Sequence, residues 1–157
     1  MSALDASDGE GGDWVDLVDV TLSHGGSSGE LFRRAAFGAL VGNTDDHLRN
    51  HAFLRRGRAW ELSPAFDVNP TPGVGGEHQL ALFGDAEVTL EKVFAPDSLR
   101  LFRVRPQDAR AWLPRLGEAI AGMRDVVSGP DVEAASRSIM DERFASAAQQ
   151  IRNVAAR

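Results

Sequence analysis

The chain has 157 residues, 43% of them apolar, and a formal net charge of −6; that is enough chain for one sizeable core, and its acidic balance argues against a nucleic-acid-coating surface. No apolar run approaches the roughly 18–20 residues of a membrane span, and the N-terminus has neither the basic nor the apolar region of a signal peptide. There is no cysteine, which excludes a disulfide framework and thiolate metal sites, so the expected setting is cytoplasmic.

Residues 1–13 are small, acidic and Gly-rich, and the composition predicts a disordered lead. Trp14 to Leu22 is apolar enough to dock as a short helix. Gly25 to Gly29 is a break. Glu30 to Val41 follows as a helix, with Ser27 or Ser28 able to cap its start and Gly42 ending it. From Ala35 onward this segment is apolar on nearly all sides, the pattern of a helix inside a core. Asn43 to His51 is a polar loop. Ala52–Leu54 and Ala59–Leu62 predict a small hairpin with Gly57 in the turn. Pro70, Pro72, Gly73, Gly75 and Gly76 mark an extended loop. Gln79 to Phe83 predicts a short strand, and Thr89 to Phe94 a helical turn capped by Thr89. Arg105 to Val127 carries a helical apolar stripe, with a kink or break expected at Pro114 because an interior proline costs a helix about 3 kcal/mol. Asp131 to Ile151 is a second amphipathic segment, with Pro130 and Asp131 at its start.

Asp45, Asn50 and Asp67 carry the chemistry. Asp45 and Asn50 are spaced D-x-x-x-x-N, the spacing of kinase catalytic loops. In such a site one carboxylate accepts the proton of an attacking hydroxyl. An amide oxygen a few residues on and a second carboxylate hold Mg²⁺, which prefers hard oxygen ligands. Asp67 supplies that carboxylate after one short hairpin. The spacing alone is weak, but the order of buried helix, polar loop, hairpin and aspartate is more specific. Other residues have blander readings. His47 and His51 are four apart, as in helical zinc motifs, but Leu48 and Arg49 occupy the positions where such a motif needs its glutamate and a neutral neighbour. His51 is expected to be structural, His24 and His78 solvent-exposed, and Arg55, Arg56 and Arg58 a solvated hairpin turn.

Phe37 to Phe53 (FGALVGNTDDHLRNHAF) and Trp60 to Pro70 (WELSPAFDVNP) strongly resemble the catalytic segment of HipA-family serine/threonine kinases, the toxins of bacterial toxin–antitoxin pairs. A looser similarity runs through the helices to about Asn153. The resemblance implies a mainly α, protein-kinase-like C-lobe over residues 14–153, with a small β-hairpin carrying the active-site edge and a tail at 154–157. It implies Asp45 as catalytic base, Asn50 and Asp67 as Mg²⁺ ligands and His47 as a support for the loop; Asp46 is assigned no chemistry. ATP would be the co-substrate. The protein substrate would be of the aminoacyl-tRNA synthetase kind and the usual partner a helix-turn-helix antitoxin, with no direct nucleic-acid binding and no membrane.

One departure from the family stands out. No Gly-rich phosphate loop precedes the catalytic loop, and Gly25–Gly29 is not followed by the lysine such a loop needs. Lys92, the only lysine, comes after Asp67 on a helical turn. The expectation is a C-lobe without its ATP-gripping N-lobe, incomplete as a kinase unless a separate N-lobe chain joins it. Two alternatives are a non-catalytic interaction module, for which Asp45 and Asp67 would be dispensable, and a metal-dependent hydrolase on Asp45, Asp46, His47 and His51. The missing glutamate base argues against the hydrolase.

Overall fold

The computed structural model describes residues 11–57 and 59–157. The lead predicted for residues 1–13 falls largely outside them, but its end is ordered. Gly12–Asp13 (β1) pairs in parallel with Leu80–Ala81 (β4). Gly12 packs closely against Leu48: a Cβ there would come within 2.6 Å of that side chain, which would have to shift. Asp13 then caps α1 (Trp14–Ser23), accepting from Val15 N at 2.8 Å. The same carboxylate accepts from Gly84 N at 2.7 Å, so one residue fixes both a helix start and the turn after β4.

Helix α2 (Gly29–Val41) buries Leu31, Phe32, Ala35, Ala36, Ala39 and Leu40, as its all-round apolar second half predicts. Ser28 precedes it but does not cap it. Its hydroxyl donates instead to Phe102 O at 2.6 Å, tying the helix start to a segment 74 residues away. A 3-10 turn (Leu48–Asn50) leads into the hairpin of β2 (Phe53–Arg56) and β3 (Ala59–Leu62), antiparallel with Phe53 opposite Leu62. Gly57 takes the left-handed φ of 65° at its turn.

Three further expectations need correction or sharpening. Helix α3 (Leu90–Val93) is capped by the Thr89 hydroxyl as predicted, but α4 (Pro96–Leu101) was not foreseen. Helix α5 (Pro106–Val127) runs unbroken through Pro114. That residue lies on the exposed face, where water can take the carbonyl a proline leaves unbonded. Helix α6 (Ala134–Ala155) begins later than predicted, with Glu133 rather than Asp131 at its N-cap. The core gathers Leu17, Leu40, Leu80, Leu90, Phe102 and Leu116, all at most 1% exposed. The architecture is therefore mainly helical, with one small hairpin and a two-residue parallel pair. None of the described helices is long and apolar enough to cross a membrane.

Candidate active site

Helix α2 ends where Gly42 turns left-handed, at φ 66°. Asn43 N closes the turn on Gly38 O at 2.9 Å. Glycine suits this position: any side chain would strain the left-handed φ, and its Cβ would run into the Arg143 guanidinium, which would have to shift. The buried Asn43 side chain then reaches across to the later loop, its Oδ1 accepting from Asn69 N at 3.0 Å. Thr71 N donates to Val41 O at 3.1 Å, and the Thr44 and Thr71 hydroxyls lie 3.1 Å apart. These contacts stitch the segment carrying Asp67 alongside the segment carrying Asp45.

Asp45 is exposed. Its Oδ1 accepts from Gln79 Nε2, while Gln79 N donates to Thr44 O at 2.9 Å. Asp67 is also exposed and takes φ 55°, a conformation aspartate tolerates better than most residues. Its Oδ1 accepts from Asn69 Nδ2 at 2.8 Å. Each carboxylate thus keeps its Oδ2 free of hydrogen bonds from the described residues. Asn50 is only 6% exposed and sits at the end of the 3-10 turn, held there by its own N donating to His47 O at 2.9 Å. Its side chain opens onto a groove of about 350 Å³ shared with Asn43, Asp46, His51 and Phe66. Asp45 and Asp67 do not themselves line this groove, but Asp46, next to Asp45, and Phe66 and Val68, on either side of Asp67, do. His47 is half-buried, with Nδ1 buried and unbonded.

The loop rests on residues to which the sequence pattern gave no chemical role. The buried Asp46 accepts from His51 Nε2 on its Oδ1 at 3.1 Å, and the indole of Trp14 meets the His51 ring edge-on at 5.2 Å. His51 is thus structural, as expected. His78 is not solvent-exposed: its Nδ1 lies 3.2 Å from Ala86 O, its Nε2 is buried without a partner, and burial lowers its pKa below the ordinary 6.5. Arg143 on α6 is 3% exposed and donates to Thr71 O at 2.9 Å and Gly75 O at 3.1 Å. Burial pulls its pKa down from the usual arginine range. Lys92 is taken up by an ion pair, its Nζ meeting Asp85 Oδ2 at 2.7 Å, which raises its pKa and lowers that of Asp85.

Among the described residues no group of three or more His, Cys, Asp or Glu converges as a metal site. The set Asp45, Asp46, His47 and His51 therefore does not form the ligand cage a metallohydrolase needs. The oxygen donors of Asn50 and Asp67 suit Mg²⁺, which takes one or two protein carboxylates and fills its remaining positions with water and phosphate oxygens.

A helical domain with a hairpin, whose two stitched loops present an aspartate each, has the architecture of a kinase C-lobe. The model of the HipA-like C-terminal domain matches residues 2–127. The chain belongs to that family. Among solved structures it is similar to a chain of the Shewanella oneidensis MR-1 toxin–antitoxin system HipA, HipB and operator DNA complex, with a TM-score of 0.63 at 14% identity. The superposition covers 94% of this chain but 38% of that one, so the chain spans about two fifths of that relative's length. No curated protein sequence matches significantly.

Proposed function

We propose that this chain is the catalytic lobe of a HipA-type serine/threonine protein kinase, transferring the terminal phosphate of ATP to a protein hydroxyl. The observation that carries the reading is the stitching of the two loops through Asn43, Asn69 and Thr71, which holds the Asp45 and Asp67 segments side by side. Family membership adds to it.

In this reading Asp45 acts as base. Gln79 holds one of its oxygens and leaves the other to accept the hydroxyl proton as the new P–O bond forms and the bond to the ADP oxygen breaks. Asn50 and Asp67 would hold Mg²⁺, which when bound neutralises charge developing on the transferred phosphate. The left-handed turn at Asp67, fixed by Asn69, keeps that carboxylate in one orientation. His47 supports the loop by accepting the Asn50 backbone N–H on its carbonyl. The remaining parts of a complete kinase would come from a Gly-rich, lysine-bearing N-lobe. The protein substrate would be of the aminoacyl-tRNA synthetase kind, and the partner a helix-turn-helix antitoxin; the solved relative comes from a toxin–antitoxin complex that includes HipB.

Thermal unfolding with and without MgATP tests this. Nucleotide at about a hundred times its dissociation constant adds ~2.7 kcal/mol, or roughly 5–10 °C for a chain of this size. Asp67→Asn keeps a residue that tolerates the left-handed turn but removes the charge, and should abolish the rise. No rise in the wild-type chain would contradict nucleotide binding here and favour the interaction module.

A further inference from the structure

Away from the two loops, a cavity of about 600 Å³ opens between α3, α4, the start of α5 and the end of α6. It shares no lining residue with the Asn50 groove. Phe94, Leu99, Val104 and Val154 are among the apolar side chains that line it. The remainder of its wall is unusual for a chain of net charge −6: five arginines, Arg100, Arg103, Arg105, Arg110 and Arg157, against a single carboxylate, Glu91.

Three of these arginines are already neutralised. Arg100 pairs with Asp97, Arg105 with Asp108 at 2.6 Å, and Arg157 with Glu91 at 2.9 Å. Arg103 and Arg110 make no ion pair or side-chain hydrogen bond with any described residue. Arg103 also stands where arginine is a poor structural choice. It follows the end of α4 at φ 53°, with Val104 N closing the turn on Leu99 O at 2.9 Å. Glycine is the ordinary occupant of that left-handed position, and a side chain there is strained. The strained backbone therefore places in the wall of an apolar cavity an arginine with no ion-pair partner among the described residues.

We infer that this cavity is a binding site for a small apolar molecule bearing one anionic group, a carboxylate or its sulfonate or phosphate equivalent. The volume lies within the range of small-ligand pockets, which combine apolar walls with a few placed polar groups. The apolar body would displace water from the Phe94–Leu99–Val154 wall, and the anion would take charge-assisted hydrogen bonds from Arg103 and Arg110. This inference is independent of the kinase reading.

The test uses the full chain and the fluorescent probe anilinonaphthalene sulfonate, with uncharged phenylnaphthylamine as its neutral counterpart and decanoate as competitor. The sulfonate should bind saturably, decanoate should displace it, and the neutral compound should bind about tenfold more weakly or worse. Arg103→Gly with Arg110→Ala should weaken sulfonate binding about tenfold or more. Its melting temperature should be unchanged or raised, because glycine relieves the left-handed turn. Equal affinity of wild type and double variant for the sulfonate, or of the wild type for the charged and neutral probes, would overturn the proposal. A double variant that melts earlier is replaced by Arg110→Ala alone, which lies on an exposed helix face and should still weaken the sulfonate.

Discussion

Leu17, Leu40 and Leu116 sit in one continuous apolar cluster, sealed from solvent by α1, α2, α5 and α6, whereas the loops of the candidate site are held by single polar contacts. Asn43 holds Asn69, Gln79 holds Asp45, and Arg143 holds Thr71 and Gly75. Apolar packing is non-directional, and its strength grows with area. A loop fixed by a few hydrogen bonds gains less stability but a sharper geometry, because each bond is short-ranged and directional. Damage to the core should therefore lower stability and leave the geometry of the surviving folded state intact. Damage to the loop contacts should shift geometry at smaller cost.

The largest expected effect comes from the core side. Leu40→Ala removes a side chain that is fully buried and should cost about 2–5 kcal/mol in urea unfolding, with any nucleotide response of the folded fraction preserved. Next comes the loop clamp. Arg143→Met leaves two carbonyls without their donor and should cost about 1–3 kcal/mol, with amide NMR shifts concentrated at 67–76. Gly42→Ala should cost a similar amount, through its φ and the 2.4 Å approach to Arg143. The two losses should add to less than their sum, since the shortened partner no longer meets the new methyl. Strict additivity would break the picture of one clamp.

The smallest effect is a pH dependence. Burial lowers the His78 pKa below its unfolded value of 6.5. The unfolded chain then binds the proton more readily, so the contribution of a neutral His78 is fully present above pH 6.5. It is lost as pH falls through the folded value. Subtracting the stability profile of His78→Gln from that of wild type should leave a difference that is flat above pH 6.5 and declines below it; a difference that grows on acidification would reverse the sign.

The same contrast explains what the sequence disclosed. Helix α5 carried its apolar stripe openly, α1 and α2 were legible from their apolar content, and Gly42, Gly57 and Thr89 marked a helix end, a turn and a cap through chemistry local to each. Asp45, Asn50 and Asp67 were legible as a spacing and a familiar string. Residues that act at a distance left no such mark. An arginine in the middle of α6 looks like any solvated helix position until the fold presses it on Gly42. Gln79, three residues past the glycines of a loop, gave no sign that it would meet Asp45, 34 positions earlier. Asp13 fell inside a Gly-rich lead, and a strand of two residues has no periodicity to detect. Helix α4 has six residues, too few for a stripe.

The account rests on Asn50 and Asp67 sharing one divalent cation beside Asp45. Amide NMR spectra of the chain with ATP and Mn²⁺, a paramagnetic stand-in for Mg²⁺, test this most directly. The account predicts selective broadening of the amides of Asp45, Asn50 and Asp67 to Asn69, abolished in Asp67→Asn. Broadening confined to another acidic surface, such as Asp85 and Glu87 beside Lys92, or broadening unchanged in Asp67→Asn, would contradict it.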